Sequence, residues 1–81
     1  MYDKYLTGNT FVTGPNRLPK HKGFLFDITG VSYSGATFHF LNSQGNTFIM
    51  NIEFPTGANF FPMGAFSVLA IGQGMTGIYL N

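Results

Sequence analysis

Thr47-Phe48-Ile49-Met50-Asn51-Ile52-Glu53-Phe54 is the stretch on which the fold turns. Phe48, Met50, Ile52 and Phe54 recur at every second position, with Thr47, Asn51 and Glu53 between them. A strand sends successive side chains to opposite faces, so this spacing predicts a β-strand with an apolar inner face. Ile49 is the exception, an apolar residue on the otherwise polar side. On both flanks the pattern repeats. Upstream, Phe24, Phe26 and Ile28 alternate, and so do Phe38 and Phe40 on either side of His39. Downstream, Ala65 to Ile71 is apolar on both sides, which suits a covered strand, and Met75 to Leu80 forms a last strand.

The connections carry turn chemistry. Asn42-Ser43-Gln44-Gly45-Asn46 reads as a hairpin loop and Gly72-Gln73-Gly74 as a second one. Thr29-Gly30 and Ser34-Gly35 bracket a bend around Tyr33, and Pro55 is expected to break the sheet, because proline cannot donate to an inner ladder. No window of ten residues shows a helical stripe, and the eleven glycines argue against one. The expectation is an all-β fold, a small antiparallel sandwich or barrel of five or six strands over residues 23–81. Phe48, Met50, Ile52 and Phe54 should line its core with Phe24, Phe26 and Phe38. Residues 1–22 hold all four basic residues, two prolines and little alternation, and are expected to form an extended amino-terminal arm.

Composition narrows the function classes. The chain has 81 residues, one domain at most, and no cysteine, so disulfides and thiolate metal sites are ruled out. Two histidines and three carboxylates make a poor metal cage, and no cofactor is expected. Charged residues make up 9% of the chain, against about 25% in ordinary soluble domains. Ten phenylalanines and four tyrosines exceed what one core of this size can hide, and exposed apolar surface on that scale marks contact with a partner. The net charge of +1 supplies no field to attract nucleic acid or membranes. No apolar run is long enough to span a bilayer as a helix, and Met1-Tyr2-Asp3-Lys4-Tyr5-Leu6 does not read as a signal peptide.

No catalytic constellation is present. Asp27 and Glu53 could act as a hydrolytic pair only if their strands paired. Each lies opposite the aromatic face of its strand and reads as a solvated residue; His39, between Phe38 and Phe40, faces outward or towards a subunit contact. No nucleophile–histidine–carboxylate spacing, phosphate loop or paired-histidine motif occurs, so the chain is expected not to be an enzyme. The run Arg17-Leu18-Pro19-Lys20-His21-Lys22 gathers three cations, with a possible fourth on His21. It could grip phosphates as OB-folds do, but an extended basic arm laid on an acidic protein surface fits the prolines and the modest charge better. In Phe60-Phe61-Pro62-Met63, adjacent aromatics of an extended chain must point oppositely. One is expected in the home core and the other in a neighbour. The candidate interface residues are therefore Tyr2, Tyr5, Leu6, Arg17, Lys20, Lys22, Phe60, Phe61 and Met63.

Thr13-Gly14-Pro15, Lys22-Gly23-Phe24-Leu25-Phe26, Phe54-Pro55-Thr56-Gly57-Ala58 and the closing run from Phe66 to Gly74 with Ile78-Tyr79-Leu80 resemble the layout of small bacteriophage structural proteins. That resemblance implies a virion component, a capsid decoration or cement protein or else a tail, fibre or spike subunit. It also implies assembly in the host cytoplasm, association with copies of itself (commonly as trimers), and contact with a major capsid protein. An OB-like module for single-stranded nucleic acid is the alternative from a different class, and neither reading involves a membrane.

Overall fold

In the computed structural model, which describes residues 8–81, the phenylalanine runs around Phe24 and Phe38 belong to one strand. The elements are β1 (Gly8–Thr10), β2 (Gly23–Leu41), β3 (Thr47–Phe61), β4 (Ser67–Ile71) and β5 (Met75–Leu80). All pairings are antiparallel, in one sheet of order β1-β5-β2-β3 with β4 also on β2. The all-β antiparallel class is as expected from the alternation; of the five strands, four lie in residues 23–81, because the strands expected around Phe24 and Phe38 are one, and the fifth is β1, in the stretch expected to be an arm.

The sheet is folded over on itself. In a straight strand, residues 24 and 38 would lie about 45 Å apart at ~3.3 Å per residue. Their rings instead approach to 5.6 Å between centroids, and Phe26 and Phe38 to 5.9 Å. β3 bends at the same level as β2, since Phe54 and Phe61 come within 6.0 Å. The corner falls where the β2–β3 register shifts between Ile28 and Tyr33. Three glycines with positive φ meet along that line, Gly30 (79°), Gly57 (106°) and Gly74 (72°). An L side chain resists these conformations, so glycine lets all three strands turn at one level. One layer contains β5, the first half of β2 and the end of β3. The other contains β4, the second half of β2 and the start of β3. Between them lie Phe24, Phe26, Ile28, Ala36, Phe38 and Val68, all fully buried, with Phe40, Phe54 and Met75 around them.

Four expectations need correction. Pro55 does not end the sheet. β3 lies at the sheet edge, where a missing N–H costs no ladder bond on the outer side, and it continues through Gly57 to Phe61. Gly72-Gln73-Gly74 is not a hairpin, because β4 and β5 follow one another along the same edge of β2, and the glycines carry the chain around the corner. Phe48 and Met50 are not core, although the predicted phase is right: they pair with Phe40 and Phe38 and share their face. The facing layer does not reach across β3 there, and both side chains stay exposed. Finally, residues 8–22 are not a detached arm. β1 pairs with β5, Gly14 N–H donates to Val68 O (2.9 Å), and Leu18 N–H donates to Phe66 O (2.8 Å). Phe11 packs edge-on against Phe24 and Phe26. This stretch closes the open edges of β4 and β5.

Candidate assembly surface

The β2–β3 hairpin closes as its sequence dictates. Asn42 Oδ1 accepts from the backbone N–H of Gln44 and of Asn46 (both 2.9 Å), and Gly45, at φ 86°, lets the chain return. Among the described residues, the chain leaving this turn has one long edge without a strand neighbour. β3 has β2 as its only strand neighbour among the described residues. Gly35 O and His39 O accept from Gly72 and Phe66, so odd positions of β2 face β4. Strand backbone groups alternate sides, which makes positions 36, 38 and 40 bond to residues 52, 50 and 48 of β3. Thr47, Ile49, Asn51 and Glu53 therefore turn their N–H and C=O groups outward along an open edge.

Natural sheets blunt such edges with charges, prolines and bulges. β3 has these devices only towards the corner: Glu53 adjoins it, and Pro55 and the Gly57 kink lie at it. The six residues Thr47–Ile52 have none, and they join β-forming side chains to zero charge. Their apolar members are open to solvent, with Ile49 64%, Met50 48% and Phe48 44% exposed. Phe48 and Met50 project on the core side and Ile49 on the other, so a partner strand would be gripped from both faces. Leu41, at the end of β2, extends the apolar tip.

The predicted interface residues distribute as follows. Phe60 and Phe61 do point oppositely. Phe61 is partly buried and packs against the core through Phe38 (4.9 Å), Phe54 and Phe40, the one of the pair that faces the home core. Phe60 stands on the outer face, in register with Leu25 and, beyond it, Ile78, in an apolar row across β3, β2 and β5. Met63 is exposed in the β3–β4 loop. Arg17 lies 5.5 Å over the Phe66 ring, within the chain's own surface, while Lys20 and Lys22 are exposed. Tyr2, Tyr5 and Leu6 lie outside the described residues. The sequence reading missed Phe48, Ile49, Met50 and Leu41. The available signal was Ile49 itself: a strand apolar on both faces with no charge, next to a turn, cannot bury both.

Asp27 is in register with Thr76 and Ala58, and Glu53 with Gly35, so the two carboxylates stand in different layers and do not pair. His39 lies edge-on to Phe66 at 5.3 Å. Among the described residues no three His, Cys, Asp or Glu side chains gather where they could hold a metal ion. Comparison with protein-family models, with curated proteins and with solved structures yields no match in any of the three.

Proposed function

We propose that this chain is a non-enzymatic structural subunit that docks into a larger assembly through the β3 edge. In the setting suggested by its resemblance to small phage structural proteins, it is a capsid decoration or cement protein acting as a homo-oligomer on the virion surface. The observation that carries the reading is the run Thr47–Ile52, an open strand edge with apolar side chains on both faces and no charge. An added strand would satisfy the outward N–H and C=O groups of residues 47, 49, 51 and 53 and cover Phe48, Ile49 and Met50 together. Separating the partners would re-expose that area to water, which is how a cement protein would resist capsomer separation. A tail or fibre subunit would use the same edge chemistry.

Sedimentation velocity and co-sedimentation with purified virus particles test this. The parent chain is expected to run as an oligomer or with particles. Ile49→Lys, which adds a charge to the exposed edge, is expected to run as a monomer with an unchanged melting temperature. A parent chain that stays monomeric and ignores particles would overturn the reading, as would an Ile49→Lys chain that assembles like the parent.

A further inference from the structure

The charges of the described chain are segregated by the fold. Asp27 and Glu53 both adjoin the corner, one in each layer. Arg17, Lys20 and Lys22 lie at the opposite, open end, beside the start of β2 and the β3–β4 loop. There Arg17, Pro19, Lys20, Leu41, Ala65 and Phe66 help to line a groove of about 480 Å³ with no Asp or Glu side chain among the described residues of its walls. The groove is built rather than incidental. Leu18 N–H is tied to Phe66 O, and the His21 ring bridges the two walls by hydrogen bonds to Pro19 O (2.6 Å) and from Ala65 N–H (3.0 Å).

The geometry points to this groove as a docking site for an acidic polypeptide segment of a partner protein, one that alternates carboxylates with an apolar side chain. Arg17 and Lys20 supply the opposite charge, and Leu41, Pro19 and Ala65 supply the apolar floor. Single-stranded nucleic acid fits less well, because it needs free aromatic faces for its bases. Phe66 is covered by Arg17 on one side and met by His39 at 5.3 Å. His21 is packed between Phe24 (4.9 Å) and Tyr79 (5.6 Å). Among the described residues of the groove wall, both rings, Phe66 and His21, already have ring or cation neighbours.

This site deepens the assembly reading by naming the chemistry of a second contact, and it rests on that reading only for the identity of the partner. The test is fluorescence anisotropy of the full chain with a labelled peptide of alternating glutamate and leucine, alongside labelled oligothymidine of equal length. Saturable peptide binding is expected, weakening with salt. The Arg17→Gln/Lys20→Gln chain should lose about tenfold in affinity, at roughly a few-fold per exposed charge pair. Lys20→Gln alone, at an exposed site, guards against a folding artefact and should show part of that loss. Ile49→Lys should bind the peptide like the parent, so failure of the edge and failure of the groove read out separately. No saturable peptide binding, equal binding by the double variant, or tighter binding of oligothymidine through the same residues would each overturn the proposal.

Discussion

His21 shows how one side chain can fix the geometry of a whole surface. Its Nδ1 lies 2.6 Å from Pro19 O, and its Nε2 lies 3.0 Å from the Ala65 amide nitrogen. A neutral ring with the proton on Nδ1 donates to the first and accepts from the second, so both bonds are satisfied at once. The His21 ring thus pins the β3–β4 loop to the segment before β2. Gly64 beside it is held close, since a Cβ there would come within 3.2 Å of His21 O. His21→Ala would leave the Ala65 amide without its acceptor and remove the ring from Phe24 and Tyr79. The expected loss is about 1–3 kcal/mol, checked by chemical denaturation. A variant as stable as the parent would show that the pin is ornamental. Ser67 is the opposite case: its buried Oγ has no partner among the described residues, and nothing in the structure explains it.

At the scale of the element, the two halves of the β2–β3 ribbon have the same alternation and opposite fates. Phe38 is fully buried between the layers, whereas Phe48, on the same face and only one strand over, is nearly half exposed. Phe38→Ala should cost roughly 3–5 kcal/mol, the range for a buried phenylalanine, and should abolish a cooperative melt in a chain of this size. Phe48→Ala should cost about 1–2 kcal/mol, because part of its transfer free energy was never gained, and the variant should still melt cooperatively. Equal losses in paired thermal melts would mean that the second layer does cover β3. Period-two spacing made the strands and their phase legible, including the opposite headings of Phe60 and Phe61. It could not tell where a strand ends at a turn and where it bends and continues. Thr29-Gly30, Pro55-Thr56-Gly57 and Gly72-Gln73-Gly74 look alike as sequence, and only tertiary packing made all three a single corner. The exposed edge was hidden for the same reason: sequence alternation reports which face a residue takes, but not whether anything lies opposite that face.

For the whole molecule the decisive matter is what closes the sheet, and residues 8–22 do so on one side only. Phe11 meets Phe24 at 5.8 Å and Phe26 at 6.4 Å, Leu18 packs on the core, and β1 and the Gly14 and Leu18 amides occupy the outer edges of β5 and β4. Clustered basic residues, two prolines and little alternation made this stretch look like an arm, because three-residue strands and single edge bonds leave no periodic trace. Its contribution can be weighed against that of its charges. Removing residues 1–18 deletes Phe11 and Leu18, which pack on the core and are worth about 2–4 kcal/mol each when packed, and bares two strand edges. A domain of this size has only on the order of 5 kcal/mol in reserve, so the truncated chain should fail to fold alone and should aggregate. Neutralising Arg17, Lys20 and Lys22 together should shift the melt by only a few degrees. Exposed charges are worth under about 1 kcal/mol each, and the Arg17–Phe66 contact is worth about as much. Far-UV circular dichroism of the two variants, each melted free of any partner, separates folding from docking. A truncated chain that keeps its β spectrum and melts like the parent would return residues 8–18 to the status of a detachable arm. It would then leave the edges of β4 and β5, like that of β3, waiting for a neighbour.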